Sequence, residues 1–233
     1  MTETTPYETI SIPEHAERLR EPFTMIDLVQ IDDLMLSVYL CQGSMPHHRH
    51  LDQDELFLVH SGTISMESEW GTAILRSGEL VVAPKGVGHR SSSLLPSQVL
   101  LLQPRLMVNR RNGDRRLFAL KDGGSLEKVS VPAVGRQLVA PFRQVILAHV
   151  DTYAFYAMRC DGAGPWLHEE HQDSLVLCYN GRLDLETGQA QVSLAEGELT
   201  IIPKGTAYRL SSSDRALVLG VQRHRQPGLP LSG

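Results

Sequence analysis

The sequence lacks the features that mark secreted, membrane-spanning or nucleic-acid-binding proteins. Its three cysteines lie far apart, without CxxC spacing, which argues against a disulfide framework and predicts buried thiols. The start, MTETTPYETI, has neither the basic nor the apolar region of a secretory signal, and no apolar run approaches a membrane span. Lysine and arginine number 22 against 27 aspartate and glutamate, a formal net charge of −5. We therefore expect a cytoplasmic protein with neither nucleic acid nor a membrane as partner.

What the chain does have is an internal repeat with a period of 119 residues. GELVVAPKG begins at Gly78 and GELTIIPKG begins at Gly197, and ISIPEHAERLREPF (10–23) matches VSVPAVGRQLVAPF (129–142) at the same offset. No gap is needed from about residue 10 to residue 104. The repeat predicts two units, residues 1–107 and 125–233, joined by a polar linker at 108–124. The four arginines of that linker could form an anion site, but a solvated linker fits the acidic chain better.

Each unit has the pattern of a β protein. Short runs rich in Val, Ile, Leu and Tyr alternate with Gly and Pro turns, as in IDLVQIDDLMLSVYLCQG and ELFLVHSGTISME. Helical periodicity is confined to EHAERLR (14–20), which predicts a short helix or arm. Evenly spaced short strands with such turns are typical of a barrel or jelly roll. We expect an all-β protein with one such barrel in each unit.

Residues 47–55, HHRHLDQDE, contain the first candidate functional residues, three histidines and a glutamate. On a strand, His48 and His50 project to the same side, and Glu55 begins the next apolar run, ELFLV. His89 follows the turn PKGVG, which ends another strand. Burying these four groups unpaired inside a barrel would be costly, and a divalent metal ion would remove that cost. The pattern predicts a metal site, with a metal-free polar network as the alternative.

The sequence resembles the cupin family in these segments. GSMPHHRHLDQDELFLVHSG, from residue 43, and GELVVAPKGVGH, from residue 78, are similar to the two cupin signature motifs, although the spacer before His48 is one residue shorter than usual. The resemblance implies metal ligation by His48, His50, Glu55 and His89 inside a double-stranded β-helix barrel. Together with the repeat it implies a bicupin, with two tandem cupin (jelly-roll) barrels.

The second unit does not keep the ligand residues. The positions 119 residues beyond the four ligands are Leu167, Glu169, Ser174 and Tyr208. We therefore expect one divalent metal ion per chain, in the N-terminal barrel. Two nearby histidines, His168 and His171, are out of register, and either a relocated second site or exposed loop positions would account for them.

Four further residues are candidates for a substrate pocket. Met45, Phe57 and Val59 could line it, with core packing as the alternative. Arg90, beside His89, could steer an anionic substrate, but its counterpart Arg209 sits beside a tyrosine in the second unit.

Three functions are compatible with the predicted ligand set. Fe(II) is the favoured ion and suits a dioxygenase acting on a small molecule, with Glu55 as ligand and catalytic base. The stretch HRHLDQDELFLVHSG is also locally similar to homogentisate dioxygenase-like cupins, which points to the reaction class. Mn, Ni or Zn would suit an isomerase or other Lewis-acid enzyme. A non-catalytic ligand-binding bicupin is the third reading, and exposed sheet edges leave a homodimer open.

Overall fold

The computed structural model describes residues 7–105, 110–112 and 124–223. In the first half, the strands are Ile10–Ser11 (β1), Met25–Ile31 (β2), Leu34–Ser44 (β3), His48–His50 (β4), Glu55–Ser61 (β5), Thr63–Ser68 (β6), Gly71–Arg76 (β7), Glu79–Ala83 (β8), His89–Pro104 (β9) and Arg110–Asn112 (β10). In the second half they are Val129–Ser130 (β11), Gln144–Val150 (β12), Tyr153–Arg159 (β13), Gly162–His168 (β14), Ser174–Asn180 (β15), Leu183–Thr187 (β16), Gln191–Leu194 (β17), Glu198–Ile202 (β18), Ala207–Ser212 (β19) and Leu217–Arg223 (β20).

One short helix precedes the main strands of each half: Ile12–Ala16 (α1) in the first and Val131–Gln137 (α2) in the second. Each begins with a serine cap followed by proline: Ser11 Oγ accepts from the backbone N–H of Glu14, and Ser130 Oγ accepts from that of Ala133. The first helix covers only part of the predicted stretch 14–20, because it ends at Ala16. Neither helix, nor any other in the described ranges, is long and apolar enough to cross a membrane.

All strand pairs are antiparallel. The strands β2 to β11 form one ten-stranded sheet, while a six-stranded sheet (β1-β18-β15-β20-β13-β12) and a four-stranded sheet (β14-β19-β16-β17) build the second half. The halves exchange their first strands, since Ile10 of β1 pairs with Leu199 and Val129 of β11 pairs with Leu80. The exchange ties the two halves together along their sheet edges.

Part of the predicted linker lies against the first half. Residues 110–112 form β10, which pairs with β4, and the remainder of 108–123 lies outside the described residues. The unit boundaries at 107 and 125 therefore stay a prediction.

The apolar core is divided into three clusters, and β5 shows how one strand serves two of them. Leu56 and Leu58 pack in a cluster shared by both halves, whereas Phe57 and Val59 pack in a cluster confined to the first half. A third cluster fills the second half. Because side chains alternate along a strand, Glu55 lies on the same face as Phe57 and points into the first half.

Candidate metal centre

Three strands of the first half bring the predicted ligands together. His48 and His50 come from β4, Glu55 opens β5, and His89 opens β9. The backbones of His48 and His89 are directly paired across the sheet. The exposed fractions of His48, His50, Glu55 and His89 are 7%, 2%, 3% and 1%. The four groups thus meet in the interior, as the alternation of the HRH segment predicts.

One carboxylate oxygen lies at the centre of the group. Glu55 Oε2 lies 2.8 Å from His89 Nε2, 3.1 Å from His50 Nε2 and 4.0 Å from His48 Nε2. One ligand atom from each of the four residues lies within 4.8 Å of every other. Small adjustments of these side chains would place all four around one ion.

Backbone carbonyls orient two of the imidazoles. His48 Nδ1 lies 3.1 Å from the Pro46 carbonyl oxygen, and His89 Nδ1 lies 3.0 Å from that of Val87. A neutral imidazole that donates its Nδ1 proton to the carbonyl has its Nε2 lone pair available for a metal ion. This is the tautomer that a metal-binding histidine requires.

His50 provides a direct test of whether a metal fits. Its Nδ1 has no hydrogen-bond partner, and its Nε2 lies 3.1 Å from Glu55 Oε2 without the geometry of a hydrogen bond, although the residue is almost fully buried. Leaving a buried polar group unsatisfied costs about 1–3 kcal/mol. A metal-free polar network leaves that cost in place, whereas coordination of His50 Nε2 removes part of it. The donor set therefore fits a divalent ion.

The protonation state of Glu55 agrees with a cation site. Burial by itself raises the pKa of the Glu55 carboxyl, but its contacts with His50 and His89 outweigh burial and hold that pKa far below the ordinary value. The group is ionised at neutral pH, which is the form that binds a cation.

A cavity of about 50 Å³ opens onto three of the four predicted ligands, His48, His50 and Glu55. Its walls are formed by Phe23, Met25, Tyr39, Met45, His48, His50, Glu55, Phe57, Ser91, Leu101 and Gln103. Of the pocket residues proposed from the sequence, Met45 and Phe57 lie in this wall. Val59 lies deeper in the apolar cluster of the first half, outside the wall.

Arg90 also lies outside the cavity wall. It follows His89 on β9, so alternation turns its side chain to the other face of the sheet. There Glu67 Oε2 accepts hydrogen bonds from Arg90 Nε at 3.0 Å and Nη2 at 2.7 Å. The equivalent pair, Arg209 and Glu186, is present in the second half. Arg90 thus braces two strands and is not placed to steer a substrate.

Three polar residues of the cavity were not singled out in the sequence. The Tyr39 hydroxyl donates to Ser91 Oγ at 3.1 Å, and burial raises the pKa of Tyr39 far above its ordinary value, so the phenol stays neutral. Gln103 is 7% exposed and its Oε1 has no hydrogen-bond partner. The alternation of side chains along a strand could have identified Gln103 as a cavity residue, because Gln103 lies on the same face as Leu101, two residues earlier.

The described residues of the second half form no comparable group. In the part of the chain that the structure describes, His48, His50, Glu55 and His89 form the only set of three or more potential ligands with metal-site spacing. His168 and His171 are exposed. The positions equivalent to His48 and His89 are Leu167 and Tyr208, which pack in or against the apolar cluster of the second half.

A larger cavity, about 600 Å³, lies between the two halves. It is lined by residues of both, including Leu58 and Leu177, and the four-ligand group is not part of its wall. Three of the predicted metal ligands therefore face the smaller cavity and not this one.

Comparisons with known proteins agree with this architecture. No family model matches the chain. The uncharacterised protein YdbB of Bacillus subtilis (strain 168) is 28% identical over 79 residues, which is 34% of this chain and 70% of YdbB.

Among solved structures, a salicylate 1,2-dioxygenase from Pseudaminobacter salicylatoxidans superimposes with a TM-score of 0.74 at 10% identity, covering 95% of this chain and 87% of that one. A cupin 2 conserved barrel domain protein from Leptotrichia buccalis gives a TM-score of 0.67 at 8% identity, covering 93% and 96%. At such low identity the likeness concerns the fold. The predicted all-β architecture is confirmed, and the chain has the cupin fold.

Proposed function

We propose that this chain is a bicupin dioxygenase that holds one Fe(II) ion in its N-terminal barrel and acts on a small organic molecule. The observation that carries the proposal is the buried group of three histidines and one glutamate, in which His50 lacks any other partner. The salicylate 1,2-dioxygenase with the same fold supports the reaction class.

The ligand set determines what the ion contributes. His48, His50, Glu55 and His89 would hold the ion. Fe(II) held by imidazole and carboxylate ligands would supply the chemistry for activating a substrate together with O2. Glu55 lines the cavity, which places its carboxylate beside a bound substrate as the candidate catalytic base.

The cavity wall restricts the substrate class. Phe57 and Leu101 present apolar surface, Tyr39 offers a neutral hydroxyl and Gln103 offers an unpaired carbonyl oxygen. Among the side chains that the structure describes, the wall includes neither arginine nor lysine. A small molecule with two neighbouring hydroxyl or carbonyl oxygens, such as a catechol or a diketone, matches this surface best.

The second unit would then act as a structural partner. The proposed organisation is a metal-binding barrel at residues 1–107, a linker at 108–124 and a metal-free barrel at 125–233. The apolar packing of Leu167 and Tyr208, at the positions equivalent to His48 and His89, supports a metal-free second barrel.

Oxygen consumption tests the proposal. Protein loaded anaerobically with Fe(II) is mixed with catechols, diketones and thiols, and O2 uptake is followed with an electrode. We expect substrate-dependent uptake by the native chain and none by His50→Ala, with His171→Ala as a control that behaves like the native chain. Iron-loaded protein that consumes no O2 with any compound of the panel, yet binds some of them, would favour a ligand-binding role.

A further inference from the structure

Arg49 lies between two of the proposed ligands and is itself buried. It is the middle residue of β4, so its side chain points away from His48 and His50, and it is only 5% exposed. Arginine is rarely buried to this extent unless it is paired. Its partner is Glu69, whose Oε1 lies 2.5 Å from Arg49 Nη2.

Glu69 connects this arginine to the turn that carries the last ligand. Its second oxygen, Oε2, accepts a hydrogen bond from the backbone N–H of Gly88 at 3.0 Å. The backbone N–H of Glu69 also donates to the Gly88 carbonyl at 3.0 Å. Gly88 immediately precedes His89, so the pair joins the strand of His48 and His50 to the backbone of His89.

A glycine at position 88 makes this contact feasible. A Cβ atom there would lie 3.2 Å from Glu69 Cδ and 3.3 Å from its Oε1, which is tighter than ordinary packing. The same turn is fastened to β4 a second time, because the Gly86 N–H donates to the His50 carbonyl at 2.6 Å.

The second half shows that this arrangement accompanies the metal ligands. The positions 119 residues beyond Arg49, Glu69 and Gly88 hold His168, Gly188 and Ala207, so all three residues differ where the four ligands differ. A neighbouring ion pair behaves differently: Arg90 and Glu67 recur as Arg209 and Glu186 with the same contact. An ion pair that only supports the barrel is expected in both halves. The Arg90–Glu67 pair meets that expectation, and the Arg49–Glu69 pair does not.

We propose that Arg49 and Glu69 are positioning residues of the metal centre. They hold β4 and the 84–88 turn at the separation that lets His50 and His89 reach one ion. This inference rests on the proposed metal site. Because the arginine fork and the carboxylate fix the geometry from behind the ligands, their loss should weaken metal binding without removing a ligand.

Co(II) is a suitable probe, because its visible spectrum reports coordination as well as affinity. Arg49→Met and Glu69→Gln are compared with the native chain by calorimetric titration and by absorption. We expect about 10–100-fold weaker Co(II) binding and an altered Co(II) spectrum in both variants. Arg49→Lys, which keeps the charge but lacks the planar fork, should recover part of the affinity. The matched controls, Arg90→Met and Glu67→Gln, should bind Co(II) like the native chain.

The outcomes separate the two proposals. A native chain that does not bind Co(II) would refute the metal site itself. Native-like affinity and spectrum in Glu69→Gln, which keeps the size of the side chain and an acceptor for Gly88, would refute the positioning role alone. Equal weakening in the Arg90→Met control would also refute it, because the effect would then follow from any lost ion pair in this sheet.

Discussion

Replacing Glu55 with glutamine removes the only negative charge from the four-ligand group while keeping the shape of the side chain. Glu55 Oε2 is the atom that the three imidazoles surround, at 2.8, 3.1 and 4.0 Å. Because the carboxyl is buried and ionised in the native chain, it is both a ligand and the compensating charge for a divalent cation. The variant should therefore fold but bind metal poorly.

The size of the effect follows from the ligand count. Four-ligand structural zinc sites bind with about 10–16 kcal/mol, so one ligand of four contributes on the order of 3 kcal/mol, or roughly a hundredfold in dissociation constant. At a free metal concentration of about 100 times the native dissociation constant, binding adds about 2.7 kcal/mol to the free energy of unfolding. In a chain of this size that raises Tm by about 5–10 °C. In Glu55→Gln the same concentration adds only about 0.4 kcal/mol, or roughly 1 °C.

Thermal unfolding with and without Mn(II) measures this difference, since Mn(II) binds unfolded histidine and cysteine weakly. Glu186→Gln is the matched control, because it removes a carboxylate from the second half and should keep the full rise in Tm. Equal rises in Tm for the native chain and Glu55→Gln would show that the stabilising ion binds elsewhere, and the reasoning above would be refuted.

Three further predictions concern other parts of the structure. Gln103→Leu should raise the KM of an accepted substrate by about 5–150-fold and leave the metal content unchanged. Steady-state kinetics and elemental analysis measure the two quantities, and an unchanged KM would show that Gln103 does not bind the substrate. Gly62→Ala should lower the free energy of unfolding by about 1–3 kcal/mol in chemical denaturation, because Gly62 has a φ of 91° and a Cβ would lie 2.3 Å from Ser97 Oγ; native-like stability would contradict this. Thiol reagents at pH 8 should label the native chain only as it unfolds, because burial raises the pKa of the thiols; rapid labelling would contradict that. Those pKa values are about 11 for Cys41 and about 12 for Cys160 and Cys178.

The meeting of His48, His50, Glu55 and His89 was predictable because its signals are local. The alternation of side chains along a strand places His48 and His50 on one face, and the apolar run after Glu55 fixes the face on which the carboxylate lies. His89 follows a Gly- and Pro-containing turn that ends a strand. Each inference needed only a few consecutive residues, together with the expectation that strands of one unit close around a common interior.

Other features depend on contacts between distant segments, which periodicity does not report. No local pattern in the sequence links Arg49 to Glu69, and only the folded chain places the two together, 20 residues apart. The two-residue strand β1 is too short to show a period, so its pairing with β18 could not be foreseen. Val59 lies on the same face of β5 as Glu55 and Phe57, but too far along the strand to reach the cavity beside the predicted ligands.

Elemental analysis of protein purified without chelators would determine whether the N-terminal barrel holds a metal ion. We expect one metal ion per native chain, mainly iron, and none in the double variant His48→Ala with Glu55→Ala. Two ions per chain, or one ion that persists in the double variant, would contradict this expectation.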